Sequence, residues 1–119
     1  MTIEKLREIL NDCYSKELCY PKIKEYWNQS NKTYGMCAIT TLIVNDYFGG
    51  DIGKVYVGDI SHYFNILNGR IIDLTKEQFD IEPNYNDYIL INRNDMLNED
   101  TKMRYESLKM KMERIYEQD

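Results

Sequence analysis

One stretch constrains the fold more than any other: the run His62-Tyr63-Phe64-Asn65-Ile66-Leu67, the pair Asn68-Gly69, and the run Arg70-Ile71-Ile72-Asp73-Leu74. Asn-Gly between two apolar runs predicts a β-hairpin closed by a two-residue turn whose residues take positive φ. Such a turn sets the pairing: Leu67 faces Arg70, Phe64 faces Asp73 and His62 faces Thr75. Side chains alternate across a strand, so His62, Phe64, Ile66, Ile71, Asp73 and Thr75 share one face. The only histidine in the chain therefore lies diagonal to an aspartate. Diagonal neighbours stand about 7 to 8 Å apart at the backbone, within reach of an imidazole and a carboxylate leaning together.

A second constraint comes from Tyr34 to Gly50, which reads as a loop, a buried helix and a glycine stop. Cys37, Ala38, Ile39, Leu42, Ile43, Val44, Tyr47 and Phe48 cover more than one helical face. That pattern predicts a central helix rather than a surface one. Cys37 falls where the loop becomes the helix. There the unpaired first-turn amides and the positive end of the dipole favour thiolate over thiol. On this stretch alone a small buried hydrophobe is the better explanation of Cys37, since free cysteine is among the most buried residue types.

Composition narrows the partners. A chain of 119 residues makes a single domain over 1–119 with one core and room for one site. A net charge of −5 argues against a nucleic-acid partner, whose binders cluster Lys and Arg. The charged N-terminus carries no apolar signal region and no segment approaches membrane-spanning length, so the expectation is a cytoplasmic protein with no membrane association. Cys13, Cys19 and Cys37 form neither an even set nor a Cys-x-x-Cys pair, which fits free thiols in a reducing compartment. One histidine argues against a conventional zinc site.

The remaining chain supplies scaffolding. Ile3, Leu6, Ile9, Leu10 and Cys13 repeat at helical spacing after Thr2, a candidate N-cap. Pro21 closes the segment after Tyr14, and Tyr26 to Tyr34 is a polar, aperiodic loop with Trp27 as a packing anchor. Lys54 to Val57 reads as a short strand and Gly58 to Ser61 as a connection. Thr75-Lys76-Glu77-Gln78 matches a capping box, which predicts a short helix ending before Pro83 and assigns Gln78 and Phe79 to architecture. Tyr88 to Asn92 is a brief strand or the lead-in to a turn. Tyr105, Leu108, Met112 and Ile115 form a stripe on a helix over 101–117 that packs on the sheet or the first helix.

Singly, Cys37, His62 and Asp73 each have a plain structural explanation. Jointly they make a nucleophile, a base and an acid that orients the base. His62 would take the thiol proton and later protonate a leaving amine, while Asp73 would hold its tautomer.

The motifs Gly35-Met36-Cys37-Ala38-Ile39-Thr40-Thr41-Leu42, Asp46 to Ile52, His62-Tyr63-Phe64-Asn65, Asp73 to Phe79 and Thr101 to Leu108 resemble the YunG-like family of small bacterial proteins. The resemblance runs in order from about Trp27 to Leu108. It implies an α+β domain similar to papain-like and transglutaminase-like cysteine hydrolases, with a nucleophile-bearing central helix packed on a small antiparallel sheet. Cys37, His62 and Asp73 fall on that pattern's cysteine, histidine and acid, and it implies no cofactor. The family pattern has Gly-Gln-Cys where this chain has Gly35-Met36-Cys37. An oxyanion donor is worth roughly 2 to 4 kcal/mol, so a neighbouring amide would have to serve, and Asn28, Gln29 and Asn31 are the candidates. Two functional classes remain open. One is a cysteine-dependent hydrolase or acyl-transferase acting on an amide, isopeptide or carboxamide bond of a protein or peptide. The other is a catalytically weak or inert domain of the same kind that binds a partner protein through its eleven tyrosines and its helical C-terminus.

Overall fold

In the computed structural model, which describes residues 1–118, two long helices and a central one flank a small sheet. Helix α1 (Ile3–Cys13) starts as expected, with Thr2 Oγ1 accepting the Lys5 amide at 3.0 Å. Its Leu6, Ile9, Leu10 and Cys13 are buried. Helix α2 (Cys37–Phe48) buries Ile39 through Val44 without a break, and Gly49 ends it at φ 68°. Between α1 and α2 the chain runs through three short 3₁₀ turns, Lys16–Leu18, Pro21–Tyr26 and Gln29–Asn31. Cys13 and Cys19 are both buried in the main core.

The sheet has strands β1 (Asp51–Val57), β2 (Ile60–Leu67), β3 (Arg70–Ile72) and β4 (Ile89–Leu90) in the order β3-β2-β1-β4, all antiparallel. The β2–β3 register is the one the Asn-Gly pair dictates, with Leu67 opposite Arg70 and Asn65 opposite Ile72. Asn68 and Gly69 take φ 53° and 76°, as the turn requires. β1 is longer than Lys54–Val57 and runs directly into β2, Val57 pairing with Ile60. The segment read as a connection is thus a second two-residue turn, Gly58-Asp59, because β1 pairs on both sides and its ladder extends to the turn. Gly53 lies beneath the Phe64 ring, 2.7 Å from where a Cβ would stand, so that β1 position admits only glycine.

The two sheet faces have different coverings. Asn65 donates to the Thr41 carbonyl of α2 at 3.0 Å, and Tyr63 packs with Ala38, Leu42, Ile52 and Met96. Phe64, Ile66 and Val55 form a separate cluster with Tyr85 on the opposite face. His62 belongs to this second face, so the body of α2 does not lie against the face it shares with Asp73. The strand partner β3 covers β2 only from Asn65 to Leu67. Beside His62 the sheet edge is open, and there the start of α2 comes near the ring.

After β3 the capping box does not form. Thr75 makes no cap with its side chain; its hydroxyl turns instead toward Asp73 Oδ1 at 3.4 Å. A single 3₁₀ turn, Lys76–Gln78, results, too short to persist as a helix toward Pro83. Helix α3 (Arg93–Met96) precedes α4 (Glu99–Gln118), whose Leu108 and Met112 are fully buried against α1 and α2. The sheet is not their main support.

Candidate functional site

Cys37 owes its position to the loop before it. Gly35 adopts φ 73°, and a Cβ there would overlap the Cys19 Sγ, so only glycine lets the loop pass over the core. The Gly35 carbonyl accepts the Tyr20 amide at 3.1 Å, and its own amide donates to Gln78 Oε1 at 3.2 Å. Met36 is fully buried in the main core and supplies no side-chain cap to α2. With its predecessor sunk in the core, Cys37 stands as the first residue of α2, partly exposed while Cys13 and Cys19 are not.

His62 reaches the site from β2, and its ring is fully buried. Nε2 lies 2.5 Å from Asp73 Oδ2. The Phe79 ring meets the imidazole edge-on at 4.9 Å, and Phe64 lies 6.4 Å away. The second nitrogen, Nδ1, is buried and closes no hydrogen bond, yet the Cys37 sulfur stands near enough to raise the ring's proton affinity. Burial alone would push the imidazole pKa down. The Asp73 hydrogen bond and then Cys37 outweigh burial, and the His62 pKa is raised to about 9.

Asp73 follows β3 directly and is held from every side. Oδ2 accepts from Tyr85 Oη at 2.7 Å as well as facing His62, while Oδ1 accepts the Thr75 amide at 3.2 Å. Burial, then the hydrogen bond to Asp73, pushes the Tyr85 hydroxyl pKa up, so it stays a donor. Cys37, His62 and Asp73 are thus brought together by one helix start, one strand and one strand exit.

A family model described as YunG protein matches residues 2–117. The chain belongs to the YunG family. It is 32% identical over 77 residues to a relative from Bacillus subtilis (strain 168) named "Uncharacterized protein YunG". That alignment covers 65% of this chain and 63% of the relative, so the chain spans less than two thirds of the length of the curated relative it matches. No solved structure matches it.

In this YunG-family chain the amides named as oxyanion donors point to other tasks. Asn28 caps the turn at Gln29–Asn31 through the Ser30 amide at 2.8 Å. Asn31 Nδ2 donates to the Gln78 carbonyl at 3.2 Å, and Gln29 lines a cavity with Arg7 and Asn11. Three neighbours of the site were not legible as such. Gln78 ties the Cys37 loop to the turn after Asp73, bonding Gly35 across 43 residues; its box-like spacing to Thr75 masked this. Phe79 walls the imidazole, and Tyr85 holds Asp73 from an aperiodic segment that carries no signal of its own. Among the described residues, no group of three or more His, Cys, Asp and Glu side chains could hold a metal ion, and no helix is long and apolar enough to cross a membrane.

Proposed function

We propose that this chain is a cysteine-dependent hydrolase or acyl-transferase with a papain-like or transglutaminase-like core, acting on an amide, isopeptide or carboxamide bond. The observation that carries the reading is the buried His62 imidazole set between Asp73 and a partly exposed Cys37. With its pKa raised to about 9, His62 retains through neutral pH the proton that the thiol gives up. The Cys37 sulfur attacks the substrate carbonyl carbon, a C–S bond forms, and the carbonyl electrons move onto oxygen. The α2 start has no side-chain cap, which leaves backbone amides to receive that oxyanion. His62 then protonates the leaving nitrogen as the C–N bond breaks, and a thioester remains. Water or a second amine attacks the thioester, His62 accepts the proton of that nucleophile, and the Cys37 sulfur is released. Asp73, fixed by Tyr85 and Thr75, keeps the ring aimed throughout.

Intact-mass measurement after exposure to p-nitrophenyl acetate tests this. The expected product is one acetyl group on Cys37 that is lost over time, with no stable acylation in Cys37→Ala. Acylation spread over Cys13 and Cys19, or none, retires the hydrolase reading. The binding-module reading draws on another observation. Ile89 and Leu90 of edge strand β4 are 53% and 64% exposed, and Tyr56 is 61% exposed. It predicts that Cys37→Ala keeps full cellular function.

A further inference from the structure

Tyr63 follows His62 directly, so its side chain leaves β2 on the opposite face, the one that α2 covers. β2 runs beside α2 in the reverse direction. Gly50, just past the end of α2, lies against the Ile66 carbonyl, while His62 lies near Cys37 at the start. Between these two points Asn65 bonds the Thr41 carbonyl. From Asn65 to Tyr63 the strand advances about 7 Å, and from Thr41 to Cys37 the helix advances about 6 Å, so Tyr63 stands level with Cys37. Its half-buried ring packs on the cluster of Leu42, Ile52 and Met96, as Ala38 does. The Tyr63 hydroxyl has no hydrogen-bond partner among the described residues. It is open to solvent, because the unpartnered side-chain atoms sealed from solvent there belong to Arg7, Thr33 and His62.

We propose that Tyr63 is a catalytic residue whose phenol hydroxyl donates a hydrogen bond to the substrate carbonyl oxygen as it becomes an oxyanion, a role that rests on the reaction proposed for Cys37. As the sulfur adds, the carbonyl electrons move onto oxygen, and the phenol supports that charge together with the first-turn amides of α2 without giving up its proton. Met36 is buried and brings no donor, and Asn28 and Asn31 are held in other bonds. The neighbouring tyrosines are placed otherwise. Tyr56 sits one rung nearer the β1–β2 turn, its ring under the Lys54 ammonium at 4.9 Å, and the Tyr20 ring faces the Arg104 guanidinium at 5.8 Å. Burial pushes the Tyr63 pKa up, with Lys54 opposing and Cys37 adding, so the phenol keeps its proton at neutral pH and remains a donor. His62 belongs to one face of β2 and Tyr63 to the other, which keeps the proton acceptor and the oxyanion donor apart.

The test compares the full chain with Tyr63→Phe, which keeps the packed ring, in two reactions of the same thiol. Acylation by p-nitrophenyl acetate passes through an oxyanion, and alkylation by iodoacetamide does not. Acetylation of Cys37, followed by intact mass, should slow on the order of a hundredfold in Tyr63→Phe, as removal of one oxyanion donor does, while alkylation keeps its wild-type rate. Equal acetylation rates in the two proteins would overturn the role of Tyr63 and leave the hydrolase reading standing. Parallel loss of both reactions would overturn it as well, because it marks a disturbed thiol and not a missing donor. No acetyl group on Cys37 in the wild-type chain, with alkylation intact, would remove the hydrolase reading and the role of Tyr63 with it.

Discussion

The two ends of α2 each gather an acid, an aromatic hydroxyl and a basic group, and they treat them in opposite ways. At the C-terminal end, Asp46 accepts from Tyr105 Oη at 2.5 Å and pairs with Arg93 at 2.8 Å. Arg93 also donates to the Leu42 carbonyl at 3.2 Å and to Asn45 Oδ1 at 2.9 Å. A cation there complements the negative end of the helix dipole. At the N-terminal end the acid is Asp73, its aromatic hydroxyl is Tyr85 and its base is His62, and here both the acid and the base are buried. One polar atom is left over, His62 Nδ1, and it belongs to the ring next to the thiol. The C-terminal end satisfies its donors with protein groups and stays partly open to water, as a structural network does. The N-terminal end holds more buried polar groups and leaves one of them, His62 Nδ1, without a partner, and the proposed function rests on that contrast.

The largest effect should separate the ends by reactivity. Iodoacetamide should alkylate Cys37 well ahead of Cys13 and Cys19, whose thiol pKa values burial pushes up. His62→Ala should slow Cys37 by about a hundredfold, the lower range for loss of a general base. Mass spectrometry of the labelled peptides checks both, and equal rates at all three thiols would erase the contrast.

The next effect is a pH dependence of stability. The folded pKa of His62 is raised above its ordinary value of 6.5 to about 9. Its contribution is therefore fully present below about pH 6.5 and is lost as pH rises through about 9, amounting to roughly 3 kcal/mol. Urea unfolding across that window should show the decline, and His62→Gln should flatten it. A wild-type curve that is as flat as the variant's would mean that the Asp73 pair is no stronger than one at the surface.

Removing single hydroxyls sharpens the comparison further. Tyr85→Phe strips a bond to a buried carboxylate and should cost about 2 kcal/mol in denaturant unfolding, with slower Cys37 labelling. Tyr105→Phe should cost only about 1 kcal/mol and leave labelling unchanged, because Asp46 keeps Arg93 and water. If Tyr105→Phe alters the Cys37 rate, the two ends communicate along α2 and are not separate networks.

Much of this was legible in the chain itself. The Asn68-Gly69 pair determined the β2–β3 register, and with it the common face of His62 and Asp73, because a two-residue turn permits only one pairing. Helical periodicity placed α1 and α2 and put Cys37 at a helix start, and Gly49 marked where α2 ends. What tertiary structure alone decided is which groups come to those positions from afar. Thr75 and Gln78 read locally as a capping box, but the Thr75 hydroxyl is drawn to Asp73, and Gln78 reaches back only to the Thr75 carbonyl while its Oε1 accepts the Gly35 amide. Met36 stands beside Cys37 in sequence and inside the core in space. Phe79 meets the His62 ring, and Tyr85 reaches Asp73 from a segment without periodicity. Turn chemistry and periodicity are short-range and are written into neighbouring residues. The partner of a buried polar group is chosen by burial, which depends on the whole packed chain.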